Sequence, residues 1–159
     1  MDNFFTCWPS LEAYAKQLSS KRFNGLFYYD YSPPGYSEKP TLILIHGLGD
    51  EADTWRHVIP LLGKAGYRVL APDLPCFGRS TVPRRSSIGI QRDAVFELIK
   101  SISENSGQGS VLIGSSMGAA VAEAVVLSEC QGLPDNNDQS KQIKALILVD
   151  GCFPVESTD

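Results

Sequence analysis

The sequence is short of histidine. Only His46 and His57 occur in 159 residues, so residues 58–159 contain no imidazole. A basic excess is also missing. Fourteen Lys and Arg stand against eighteen Asp and Glu, a net charge of −4, which leaves no cationic footprint for nucleic acid. No apolar run approaches the roughly 20 residues that a membrane-spanning helix needs. The N-terminus, MDNFFTCWPS, carries an acid and no basic n-region, so it does not read as a secretory signal. Asn-x-Ser/Thr is absent. The four cysteines, Cys7, Cys76, Cys130 and Cys152, have no paired spacing and point to neither a disulfide framework nor a zinc site. Free thiols in a reducing, cytoplasmic compartment are the expectation. The remaining composition, 43% hydrophobic and 20% charged, is that of a soluble globular chain. Its length suits one domain, residues 1–159, with a core of its own.

Apolar segments alternate with helix-like ones. WPSLEAYAKQL predicts a short helix capped by Ser10, with Leu11, Tyr14 and Leu18 on one side. Asn24-Gly25 marks a turn before the strand-like run LFYYDY, and a Pro/Gly/Ser loop follows. TLILI, residues 41–45, is a continuous apolar strand of the kind buried on both faces of a parallel sheet. A helix is expected from Thr54 to Gly63 or Gly66, kinked or shortened by Pro60. Residues 68–71 form the next strand, stopped by Pro72. SIGIQRDAVFELIKSISE predicts a helix with Ile90, Ala94, Leu98 and Ile102 on one face. SVLIG is a strand and MGAAVAEAVVLSE a helix whose Gly118, Ala119 and Ala122 permit close approach to a sheet. LPDNNDQSKQ is a polar loop and IKALILVDG the last strand. This alternation specifies an α/β fold with a mostly parallel sheet and helices on both faces. Ile43, Val69, Val111 and Ile147 are expected on its central strands.

Three segments carry chemistry: LILIHGLGD, APDLPCFGRS and VLIGSSMGAA. Together they resemble the α/β-hydrolase superfamily, in its serine-nucleophile esterase and hydrolase branch, over residues 26 to 151. Gly114, Ser115, Ser116, Met117 and Gly118 match the nucleophile elbow of that family. Small residues two before and two after the nucleophile let the chain cross itself at a strained strand-to-helix turn. The resemblance makes Ser116 the nucleophile and gives the oxyanion hole to the backbone N–H groups of Leu48 and Met117. It makes His46 a structural residue. DLPCFGRS matches a family loop at Asp73, Gly78 and Ser80, but Cys76 stands where the first glycine belongs, a place that usually requires positive φ. Asp73 is expected to make turn hydrogen bonds and His57 to pack or face solvent. Asp150 is expected to be a strand-end polar residue, with the triad acid as the other reading. PRRSS at residues 83–87 fits a site for a basophilic kinase as well as a solvated loop.

A serine hydroxyl needs a base. The family order is nucleophile, acid, histidine, and residues 117–159 contain no histidine. The resemblance also implies a cap and further strands beyond residue 150. The expectation is therefore a truncated α/β-hydrolase core that lacks the cap and last strands, with triad acid and base supplied from outside. Either a C-terminal segment or a partner chain would provide them. The other reading is a non-catalytic ligand- or partner-binding protein on the same fold. The substrate class that the resemblance implies is a small, fairly apolar ester or related acyl compound. An aspartate nucleophile would mark the epoxide-hydrolase and dehalogenase branches, and Ser116 argues against these. No cofactor or metal is implied, and neither nucleic acid nor membrane is an expected partner.

Overall fold

A computed structural model describes residues 18–106, 108–131 and 142–151. The helix expected after Ser10, nearly all of the polar loop at 133–142, Cys7 and Cys152 lie outside the described residues. Among the described residues, six strands form one sheet: β1 (Ser19–Phe23), β2 (Leu26–Tyr31), β3 (Thr41–Ile45), β4 (Val69–Pro72), β5 (Ser110–Ser115) and β6 (Ile143–Val149). Their spatial order is β1-β2-β4-β3-β5-β6. The pairs β1/β2 and β2/β4 are antiparallel, whereas β4/β3, β3/β5 and β5/β6 are parallel. The β1–β2 hairpin turns on Asn24 and Gly25, at φ 48° and 81°. Both values are positive, as a tight turn matching the strand twist requires.

Among the described residues, three α-helices accompany the sheet: α1 (Ile59–Lys64), α2 (Ile88–Ser106) and α3 (Met117–Gln131). The strand pleat divides the core. On one face Ile43, Ile45, Leu70 and Leu112 pack with Leu98 and Ile99 of α2 and Val121 and Val125 of α3. On the other, Leu42, Leu44, Val69 and Ala71 pack with Ile59 of α1 and Ala52. β3 is buried at every position, which explains its unbroken apolar run. Each fully buried Ile or Leu contributes about 1.5–3 kcal/mol.

Three local readings are corrected, and one strand is added that the sequence pattern does not predict. Ser19–Phe23, polar and largely exposed, is a strand, because backbone pairing to β2 holds it without an apolar pattern. The helix expected from Thr54 is split into a 3-10 turn at Ala52–Trp55 and α1. Pro60 lies in the first turn of α1, where its missing N–H costs nothing. On α2 the buried stripe is Gln91, Val95, Leu98, Ile99 and Ile102, with Ile90 and Ala94 only half-buried. Ile147 is not central: β6 is one of the two outermost described strands, and Ile147 is 47% exposed.

One polar cluster ties the hairpin to the sheet. Asp30 on β2 is buried and accepts bonds from Arg68 Nε (3.0 Å) and Nη2 (2.7 Å) and from Lys21 Nζ (2.6 Å). Burial alone would push this carboxyl up, but the bonds from Arg68 and Lys21 outweigh it and hold it below the usual carboxylate range.

Candidate active site

Ser116 lies between the last residue of β5 and the first of α3, at φ 51°. A non-glycine residue there carries roughly 1–3 kcal/mol of strain, sustained only when its surroundings over-determine it. Here they do. The Ser116 N–H donates to the Val149 carbonyl of β6 (3.0 Å), and the Ala119 N–H donates to the Ser116 carbonyl (2.9 Å). Gly114 and Gly118 are glycines for steric reasons. A Cβ on Gly114 would meet the Gly118 carbonyl and stand 2.7 Å from Ala119 Cα. One on Gly118 would strike the carbonyl oxygens of Ile45 and His46. Helix α3 therefore begins in backbone contact with the carboxyl end of β3.

That contact brings the His46–Gly49 loop onto the serine. A Cβ on Gly47 would lie 3.3 Å from Ser116 Cβ and 3.9 Å from its Oγ. Leu48 follows directly with its side chain 74% exposed, and Gly49 has φ 74°. Met117, next to Ser116 in the chain, packs against the apolar core. Ser116, Leu48 and Met117 are thus gathered at the carboxyl edge of the parallel strands, where α/β sheets bind ligands.

His46 is fully buried and both ring nitrogens are engaged. The Leu74 N–H donates to Nε2 (2.9 Å), so Nε2 is unprotonated. Nδ1 then carries the proton and donates to the Gly47 carbonyl (2.8 Å). Burial pushes its pKa down, against the opposing pull of the Gly47 carbonyl and of Asp73 and Asp50. The ring clamps the loop at residue 47 to the one following β4.

That second loop has its own anchor. Asp73, fully buried, accepts from the Ala52 N–H (2.8 Å), the Arg79 N–H (2.7 Å) and Arg79 Nε (2.7 Å) and Nη2 (3.0 Å). Burial would raise the Asp73 pKa, but these bonds from Arg79 and Ala52 hold it down. Arg79 also donates to Tyr29 Oη (2.6 Å) and lies over the Phe27 ring, 4.1 Å from its centroid. Ser80 Oγ takes the Phe27 N–H (2.8 Å) and donates to the Asp73 carbonyl (2.5 Å). Cys76 keeps the positive φ of the glycine it replaces, at 76°. The Asp73–Arg79 pair has no periodic signature, and only its spacing within one loop could have suggested it.

His57 is half-buried between the 3-10 turn and α1. Asp150 is exposed at φ 50°, one residue beyond the Val149 carbonyl that holds Ser116. Among the described residues, no three His, Cys, Asp or Glu side chains are placed to hold a metal ion. Nor is any helix there long and apolar enough to cross a membrane.

Known proteins are similar to this chain. The profile of the alpha/beta hydrolase family matches residues 42–158. An epoxide hydrolase of Caballeronia sordidicola is 30% identical over 112 residues, which cover 66% of this chain and 34% of that protein. The solved thioesterase domain from the curacin biosynthetic pathway superposes with a TM-score of 0.64 at 29% identity, over 89% of this chain and 48% of that one. Epoxide hydrolase VrEH1 from Vigna radiata shares the fold, with a TM-score of 0.67 at 21% identity, over 88% of this chain and 39% of that one. The chain spans about a third or less of the length of the curated relatives it matches.

Proposed function

The chain belongs to the alpha/beta hydrolase family, and from that membership we propose that it carries the nucleophile part of a serine hydrolase acting on an ester or related acyl substrate. The observation that supports this best is Ser116 itself. It is held at positive φ on a strand-to-helix turn, with Gly47 packed against it. Ser116 Oγ attacks the substrate carbonyl carbon, and the backbone N–H groups of Leu48 and Met117 receive the developing oxyanion. The exposed Leu48, one residue beyond the Gly47 that packs against the serine, favours an apolar acyl group. Several relatives are named epoxide hydrolases and dehalogenases. A serine at the nucleophile position favours acyl transfer over their chemistry.

This reading follows the family order of nucleophile, acid and histidine in taking the base from outside residues 1–159. His46 has both nitrogens committed, and no histidine follows Ser116. The absent histidine also favours a second reading, a non-catalytic binding protein on this fold. A fluorophosphonate probe separates the two. In the proposed reading, with exogenous imidazole standing in for the absent base, it labels the wild-type chain at Ser116 and leaves Ser116→Ala unlabelled, while without imidazole labelling and p-nitrophenyl acetate turnover by either stay at background. The residual catalysis of roughly 10³–10⁴-fold left by broken triads requires an intact oxyanion hole and pocket. Absence of labelling supports the binding protein. Robust turnover lost in both Ser116→Ala and His46→Ala would make His46 the base and defeat the proposal as stated.

A further inference from the structure

The segment between the Asp73–Arg79 loop and α2 reads Pro83-Arg84-Arg85-Ser86-Ser87-Ile88, and the nucleophile chemistry makes no use of it. Arg84, Arg85, Ser86, Ser87 and Ile88 are all exposed. No described residue forms an ion pair with either arginine. Residues 81–87 belong to no helix or strand. We propose that Ser87 is a phosphorylation site for an arginine-directed serine kinase.

The spacing chooses Ser87. Arg84 and Arg85 stand three and two residues before it, and an apolar residue follows. Two guanidinium groups at fixed offsets from a hydroxyl give charge-assisted, bidentate bonds to carboxylates lining an acceptor cleft. Ser86 has no arginine at the more distant offset. Docking requires Ser87 and Ile88 to leave the start of α2, and little resists that. The ties are local: the Ile90 N–H donates to Ser87 Oγ (3.2 Å) and the Gln91 N–H to the Ser87 carbonyl (3.2 Å). Gly89 weakens this first turn by about 1 kcal/mol relative to alanine. A Cβ there would find nothing nearer than Ser87 Oγ at 3.7 Å.

In the transfer, Ser87 Oγ bonds to the γ-phosphorus of kinase-bound MgATP. The bond from that phosphorus to the β,γ-bridging oxygen breaks, ADP leaves with the electron pair, and the hydroxyl proton passes to the carboxylate base of the kinase. The product carries a charge of about −1.5 to −2. It stands at the start of α2, where the helix dipole and the Ile90 N–H that now meets the hydroxyl favour an anion. Arg92 lies close by. Its Nη2 is 3.9 Å from the site of a Gly89 Cβ, and its present partner is the exposed Asp93 (2.7 Å). The phosphate therefore holds the first turn of α2 more firmly than the hydroxyl does.

The test uses the 159-residue chain, MgATP and the catalytic subunit of cAMP-dependent protein kinase, read by intact mass and fragment mapping. One phosphate is expected at Ser87 in the wild type and in Ser86→Ala, and none in Ser87→Ala. The double variant Arg84→Ala/Arg85→Ala, whose exposed and unpaired positions spare the fold, should be modified at least about tenfold more slowly. Circular dichroism confirms that each variant is folded. After modification, the amides of Ile90 and Gln91 should exchange more slowly with solvent. No incorporation, modification elsewhere with Ser87 untouched, or an undiminished rate in the double variant would overturn the site. Faster exchange at Ile90 and Gln91 would overturn the stabilising role.

Discussion

His46 is neutral, wholly buried and bonded through both nitrogens, and that arrangement is vulnerable to acid. Its folded pKa lies below the ordinary 6.5 because of burial. Above that value both folded and unfolded chains are unprotonated at this site, and it adds no pH dependence. As pH falls below it, the unfolded chain takes up a proton that the folded chain resists. Stability then declines by up to about 1.4 kcal/mol per pH unit until the folded value is reached. His46→Gln should be less stable at neutral pH and should lack this slope. Urea midpoints taken stepwise from neutrality to about pH 5 check it; parallel declines in the two proteins would exclude His46 as the source. The bonds of His46 were not legible in the sequence, because Leu74 stands 28 residues away and no local pattern pairs them. The place of Ser116 was legible, since a tight strand-to-helix crossing needs Gly114 and Gly118. The positive φ at Cys76 was not legible, because a cysteine in place of the glycine implies that the loop adjusts instead; holding it costs cysteine roughly 1–2 kcal/mol.

Among the elements, the start of α3 is the most constrained. Gly118 has no room for a side chain, because the carbonyl oxygens it would strike belong to β3 and the residue after it. These are backbone atoms at the centre of the sheet and cannot yield. Gly118→Ala should cost about 2–3 kcal/mol and lower the melting temperature by about 4–12 °C. A thermal melt followed by circular dichroism measures this, and an unchanged midpoint would mean that α3 does not approach β3 as described. Elements were legible where burial sets the pattern. β3 and β5 announce themselves because central parallel strands are apolar on both sides. β1 does not, because an edge strand earns its place by backbone pairing and its side chains face water. The buried stripe of α2 keeps Leu98 and Ile102 of the expected face but runs through Gln91 and Val95 in place of Ile90 and Ala94: Gln91, a polar residue, is 2% exposed, and apolar periodicity alone cannot nominate it.

Across the whole molecule, two buried carboxylates hold loops and strands that are distant in sequence. Asp30 links the hairpin to the residue before β4, and Asp73 links the turn at Ala52 to Arg79. Both have depressed pKa values in the fold. Their stabilisation is complete above the unfolded value near 3.8 and is lost as pH falls through the lower folded value. Asp30→Asn leaves Lys21 and Arg68 without their anion and should cost about 3 kcal/mol at neutral pH. The gap from wild type should close in acid, below about pH 4. Denaturation followed across that range tests it, and a gap that stays constant would show that charge is not what Asp30 contributes.

The two rims of the sheet differ in character. β1 presents Ser19, Ser20, Lys21 and Arg22, all exposed. β6 presents Ile147 and Val149, 47% and 46% exposed, with Lys144 its one charge, and no described strand pairs with its far side. Charged residues discourage another strand from joining, and an apolar rim invites one. The sheet is therefore directional: it can lengthen favourably on one side only, and β5, which delivers Ser116, stands one strand in from that side.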